Sequence, residues 1–293
     1  MRVATTLIVA LAVVPVTANA ALTQRARYLM GTVCEVATES TNAEAQIEAA
    51  FAEAKRIESM LSTWIDDSEL SRVNRGAEPS PELRTLLDQT LEWSRRTNRA
   101  FDPRWKAPPQ FEEGAFGKGY AIDRMLALLP SGAAGSCGAR LRRAFGRGRA
   151  GGAHHTGPPL HVLINFGGQL GVRGSMRVTI ADPKDRDKPV VELTLRDASL
   201  STSSNSEKLH IIDPRTRELL PARGSASVIA SDALTADILS TALYVMGEDE
   251  GLRWADANGV AAIFITSANQ IRLSSRARAC GVNVIDGHFA IKD

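Results

Sequence analysis

Cysteine is scarce in this chain. Its three residues, Cys34, Cys137 and Cys280, are odd in number and without paired spacing, which excludes a disulfide framework and offers no metal-binding motif. One unassigned disulfide is the most they allow. Beyond the first twenty residues no run is long and apolar enough to span a bilayer. Charge of one sign is lacking too. The formal net charge is +2, and the window 131–159 holds five Arg with no Asp or Glu, so the remainder sums to −3. The basic excess is therefore local, and it gives no reason to expect nucleic acid as a partner. What is present, 44% hydrophobic and 23% charged residues, is an ordinary globular composition with material for a substantial core. A single domain over 21–293, or two intimate lobes, fits.

Residues 1–20 read as a secretory signal peptide: Met1-Arg2 gives a positive start, 3–14 is nearly all apolar, and Ala18-Asn19-Ala20 is a small-x-small cleavage site. The expected mature chain starts at Ala21, is exported to a periplasm-type compartment, and has no stable membrane insertion after cleavage. The Gly- and Arg-rich window 131–159 cannot bury enough apolar surface to order itself, and reads as a loop or disordered insertion, or a local reading-frame error. The adjacent His154 and His155 within it are expected to be solvated rather than to ligate a metal.

Periodicity supplies the elements. Thr41-Asn42 can cap a helix whose buried stripe is Ile47, Ala50, Phe51, Ala54, Ile57 and Leu61. Ser80-Pro81-Glu82 starts another, with Leu83, Leu86, Leu87 and Leu91 inward. Asp232 can cap a third over 233–246, closed by Gly247, and a short helix is expected over 250–257. Strands are expected over 32–37, 175–181, 190–195, 260–266, 271–273 and 282–285. The alternation of Val191, Leu193 and Leu195 predicts one wet face. The fold class is α+β, with mixed or antiparallel sheets and packed helices, rather than a regular βαβ series.

Two clusters carry chemistry on their own terms. Gly114, Gly117 and Gly119 surround Lys118, which allows close backbone approach to a ligand and places a point charge suited to phosphate. The Walker A spacing is absent, and the plain alternative is a Gly-rich turn entering a helix at Tyr120. Asp237 and Thr241 lie four apart on a predicted helix and so share a face. Carboxylate and hydroxyl are hard oxygen ligands suited to Mg²⁺ held partly by substrate phosphate, with Ser240 adjacent; an isolated pair of this kind is more often an exposed helix face.

Six segments, in order, resemble the ApbE-like FAD:protein FMN transferase family: Met30-Gly31-Thr32; Leu61-Ser62-Thr63-Trp64 running to Asn74; Ala100-Phe101-Asp102-Pro103; Gly114 to Asp123; His210-Ile211-Ile212-Asp213-Pro214-Arg215-Thr216; and Thr235-Ala236-Asp237 to Ala242. The resemblance implies Mg²⁺-dependent transfer of FMN from FAD to a Ser or Thr hydroxyl of a partner flavoprotein, with release of AMP. The implied partner is a flavin-carrying domain of an exported or membrane-bound redox protein. It implies a flavin pocket of Met30, Trp64, Ala100, Phe101, Asp102, Glu112, Lys118 and His210, and a metal held by Asp237, Thr241 and the main-chain carbonyl of Ala115. Trp64 is read as a stacking ring or as core, and Asp123 as a weaker candidate or a structural cap. A lone His before a turn is most simply structural; the family context makes His210 a candidate base, with Asp237 its rival. No cysteine stands at Ala21, where relatives often carry a lipid anchor.

The chain departs from the pattern in four places. Only 104–113 separates the Phe-Asp-Pro and Gly-Lys-Gly segments; Gln169 replaces a usual carboxylate; Ser204 and Arg217 each stand where Gly is usual. These departures keep three alternatives in view: a non-catalytic periplasmic FAD-binding protein, a Mg²⁺-dependent FAD pyrophosphatase, and a structural homologue without activity.

Overall fold

A computed structural model of the chain describes residues 22–40, 42–129, 161–206 and 209–292. The expected leader, Thr41 and the 131–159 window lie outside the described residues.

Ten strands form one sheet in the order β1 (Thr23–Leu29), β2 (Thr32–Thr38), β3 (Val162–Phe166), β4 (Gln169–Asp182), β5 (Asp185–Ser204), β6 (Gly224–Ala230), β7 (Ala261–Thr266), β8 (Gln270–Leu273) and β10 (Ala290–Ile291), with β9 (Asn283–Val284) on β5. Every pairing is antiparallel except β8 with β10. Alternation splits the strand residues between two cores. Val162, Ile164, Phe166, Ala226, Val228 and Phe264 join one; Leu163, Ile229, Ile263 and Ile265 join the other. The first core is closed by helices. The second is built from the opposite face of β2 to β8 with Ala277 and Phe289, so the two cores share one sheet. Val191, Leu193 and Leu195 are buried while Glu192, Thr194 and Arg196 are half-buried or exposed, the wet face that alternation predicts.

The helices over the first core are α1 (Ala43–Leu61), α2 (Glu69–Asn74), α3 (Pro81–Arg96), α4 (Gly117–Leu128), α5 (Ala233–Met246) and α6 (Glu248–Ala257); α7 (Ser275–Arg278) lies by β7 and β8. The predicted stripe of α1 is buried throughout. Asn42 stands at its N-cap without a side-chain cap bond, whereas Ser80 and Asp232 each accept from the amide three residues on, Leu83 and Thr235. Helix α4 starts at Gly117, not at Tyr120, so the two glycines flanking Lys118 lie inside its first turn. Helix α6 likewise begins two residues earlier than expected. Cys34 is buried in the helical core, and its thiol is pushed up to about 12 by burial.

Candidate functional site

The site is organised where α4 crosses α5. The Gly119 amide donates to Asp237 Oδ2 at 3.0 Å, a bond across 118 residues of sequence. Only glycine fits at 119, because a Cβ there would lie 2.4 Å from the Ala233 carbonyl oxygen and 2.8 Å from Asp237 Cβ. Helix α4 also lies close on β4: a Cβ on Gly171 would meet Ile122 Cγ2 at 2.4 Å. On its outer side Tyr120 donates to Glu82 at 2.7 Å and Arg124 to Glu53 at 3.0 Å, tying α4 to α3 and α1.

Asp237 is buried, and burial pushes its carboxyl above the ordinary range against the pull of the Lys118 charge, the Gly119 amide and the Ser201 hydroxyl. Lys118 is half-buried and makes no salt bridge among the described residues, so its charge is available beside this carboxylate. Thr241 follows one turn on, half-buried, its hydroxyl 3.3 Å from Ser203 Oγ. The turn Glu113–Ala115 packs against α5, and Met30, with φ of 46°, sets its methyl group beside Gly117. Two sequence segments read separately, the Gly-Lys-Gly run and the Asp237–Thr241 pair, thus meet at one place.

The N-terminus of α5 is capped twice. Asp123 accepts from the amides of Ala233 and Leu234 at 2.7 and 2.9 Å, while Asp232 accepts from Thr235 at 2.8 Å. Asp123 is therefore the structural cap that was one of its two readings. Burial, then the neighbouring Asp232, pushes its carboxyl up to about 7. Gln169 takes part: its amide nitrogen donates to the Ala233 carbonyl at 2.9 Å, and its side-chain oxygen is buried without a partner. A carboxylate at 169 could not donate to that carbonyl, and it would add a fourth negative group to Asp123, Asp232 and Asp237.

The remaining candidates lie around this centre. Glu113, rather than its neighbour Glu112, braces the site: it accepts from the Thr63 amide at 3.2 Å and from the Thr63 hydroxyl at 2.9 Å, and burial raises its carboxyl. It thereby ties the loop carrying Trp64 to the turn carrying Ala115. Glu112 instead pairs with Lys106. Trp64 is 92% exposed, which overturns the core reading and leaves a ring open to a ligand. Ala100 and Phe101 have their side chains in the helical core, so anything they offer a ligand comes from the main chain. Asp102 is buried, accepts from Arg99 at 2.8 Å and from the Arg104 amide at 2.9 Å, and lines a groove of about 620 Å³ with Arg95, Arg104, Arg215 and Arg217. His210 is exposed and its amide donates to Asn205 Oδ1 at 3.1 Å. Buried Asn205 also accepts from Ile211 and donates to the Leu220 carbonyl, and its amide donates to Tyr244 on α5. Sequence reasoning missed Glu113, whose partner Thr63 is distant along the chain, and Asn205, which links the nearby His210 segment to Leu220 and Tyr244.

The donor set fits a hard cation that shares its ligands with a substrate. Among the described residues no group of three or more His, Cys, Asp or Glu could hold a metal, so an all-protein cage is not offered. One carboxylate, one hydroxyl and a nearby main-chain turn match the sparse protein ligation that Mg²⁺ accepts alongside phosphate oxygens.

The chain is similar to known proteins in sequence and in fold. The profile of the ApbE family matches residues 30–111 and 159–264, which take in five of the six segments and leave out the Gly-Lys-Gly run. A FAD:protein FMN transferase of Treponema pallidum is 25% identical over 92% of this chain and 91% of its own. In fold, the ApbE protein of Thermotoga maritima superposes with a TM-score of 0.73 at 20% identity, covering 89% of this chain and 99% of that one. The flavin transferase ApbE of Vibrio cholerae gives 0.69 at 17%, with the same coverages. Matched over more than half its length, and in its α+β fold throughout, the chain belongs to the ApbE family and is a transferase.

Proposed function

We propose that this chain is a FAD:protein FMN transferase, moving FMN from FAD to a Ser or Thr hydroxyl of a partner protein and releasing AMP. The observation that carries the reading is the bond from Gly119 to Asp237, which brings a cationic, glycine-lined helix start onto the helix face bearing Asp237 and Thr241. A pyrophosphate needs such a junction of backbone approach, fixed charge and hard oxygen ligands. Mg²⁺ would be held by Asp237, Thr241 and the Ala115 carbonyl, where it supplies charge neutralisation on the phosphates. Lys118 grips the same phosphates, and the exposed Trp64 offers a face to the isoalloxazine ring. The acceptor oxygen then bonds to the FMN-side phosphorus as the bond to the AMP phosphate breaks. His210 takes the hydroxyl proton, since it is exposed while Asp237 is buried and engaged with Gly119.

The test is incubation of the full chain with FAD and Mg²⁺, with and without a flavin-carrying acceptor domain. AMP release together with covalent flavin fluorescence on the acceptor is the expected outcome, and FAD should bind more tightly than FMN. AMP without acceptor labelling would instead assign a pyrophosphatase. The non-catalytic FAD-binding reading is favoured by one observation, the amide at Gln169, and binding without any AMP would establish it. Export to a periplasm-type compartment, with an exported or membrane-bound redox protein as acceptor, belongs to the same proposal; intact mass of the secreted form should show a start at Ala21.

A further inference from the structure

Inward from the Thr241 hydroxyl runs a chain of three serine hydroxyls from strand β5 and helix α5, ending beside Asp237. Ser201 and Ser240 are buried, at 3% and 0% exposure, and Ser203 is half-buried. The Ser201 hydroxyl works against the upward push that burial exerts on the Asp237 carboxyl. Ser240 Oγ donates toward Ser201 Oγ at 3.1 Å and toward the Asp237 carbonyl at 3.0 Å, and lies 2.9 Å from Ser203 Oγ. Ser203 Oγ in turn lies 3.3 Å from Thr241 Oγ1.

Each hydroxyl has one proton to give, and this fixes the direction of the chain. The Ser240 proton is committed to Ser201 or to the Asp237 carbonyl, so Ser203 must donate to Ser240. With its own proton spent, Ser203 can only accept from Thr241. Every hydrogen from Thr241 to Ser240 therefore points inward, toward Ser201 and the Asp237 carbonyl, and each bond polarises the next. At the far end the Thr241 hydrogen is turned inward.

We propose that Ser201, Ser203 and Ser240 are positioning residues that turn the Thr241 hydroxyl proton inward, leaving its oxygen lone pairs for a hard divalent cation shared with the substrate phosphates. The proposal rests on the metal-assisted reading above and goes beyond it. It assigns a role to three residues outside the cation's own ligand set and explains why helix α5 carries a fully buried serine in its core-facing stretch. Without the chain, the Thr241 proton is free to point at the cation and repel it.

Calorimetric titration of Mg²⁺ into the full chain, with and without FAD, tests this. Ser203→Ala should lower Mg²⁺ affinity about tenfold, the scale usual for groups that orient a metal ligand. Thr241→Val should cost a comparable amount, and the double variant little more, because both break the same link. Ser203→Thr should restore affinity, and the melting temperature measured without metal should not follow this pattern. If Ser203→Ala does not fold, Ser203→Cys removes the strong acceptor at similar volume and is read the same way. Wild-type affinity in Ser203→Ala, or losses that multiply in the double variant, would overturn the hydroxyl chain. A loss in Asp237→Asn beside wild-type affinity in Ser203→Ala would remove this inference alone. No Mg²⁺ binding by the unaltered chain, FAD present, would remove the metal reading with it.

Discussion

The two ends of the candidate site are built in opposite ways. Around Gly119, Gln169, Ser240 and Asp237 the groups are buried, Asp123 beside them is half-buried, and nearly every polar atom is bonded, much of it across long sequence separations. Around Trp64 and His210 the side chains are exposed, and the loops are held from behind by Glu113 and Asn205. One end is preorganised, where charge must be met at fixed distances; the other is open, where a ring and a second protein must enter. The contrast fits the division between electrostatic positioning and substrate access that a transfer between two bulky molecules requires.

The contrast is broken most severely by Gly119→Ala. Its Cβ would meet the Ala233 backbone, which has no flexible end to yield, so a destabilisation of about 3 kcal/mol or more is expected, with loss of FAD binding. Thermal melting and fluorescence titration check both. A melting temperature equal to the unaltered chain would mean that α4 and α5 are not so closely apposed.

Asp237→Asn should separate function from stability. Metal affinity and transfer should fall sharply, whereas the melting temperature should hold or rise, because burial already disfavours the charged carboxyl. Wild-type transfer across a Mg²⁺ titration would dissociate this residue from the reaction.

Asp123 offers a pH signature of the buried end. Its carboxyl is raised from an ordinary 3.8 to about 7 in the fold, so the folded state binds its proton more tightly than the unfolded chain does. The associated stability is fully present below about pH 4 and is lost as pH rises toward 7. Asp123→Asn should flatten that part of the stability profile while lowering the plateau, since an amide can cap only one of the Ala233 and Leu234 amides through its oxygen. Denaturant midpoints between pH 4 and 8 would show an unchanged slope if this assignment is wrong.

The smallest effect belongs to the open end. Trp64→Ala should change stability by less than about 0.5 kcal/mol, as expected for a surface side chain, yet weaken FAD binding if the ring stacks on the flavin. Unchanged FAD affinity would move Trp64 out of the binding surface.

Local chemistry made much of this fold legible. The apolar stripe of α1 and the caps Ser80 and Asp232 act within a few residues, and each stands where it was expected. The long strands β4 and β5 were seen only in part, over 175–181 and 190–195. Gly171 and Gly174 interrupt the apolar alternation in one, and the polar run Asp185-Arg186-Asp187-Lys188 opens the other. Pairing with neighbouring strands, not local preference, extends them. In the site, Asp237 and Lys118 were recognisable by type. The service of Gln169 to Ala233, of Glu113 to Thr63 and of Asn205 to Tyr244 was not, because hydrogen bonds between distant segments leave no periodic trace.

The bond from Gly119 to Asp237 also bears on how the chain reaches its native state. Strands β3 to β6 lie between these residues and pair with sequence neighbours, β3 to β5 through tight turns and β6 after a longer connection, while the junction of α4 with α5 must wait for the whole meander to bring its ends together. A chain arrested late in folding would thus hold its sheet without the junction proposed to grip phosphate, and ligand binding there would report on the last step of assembly rather than on the presence of the sheet.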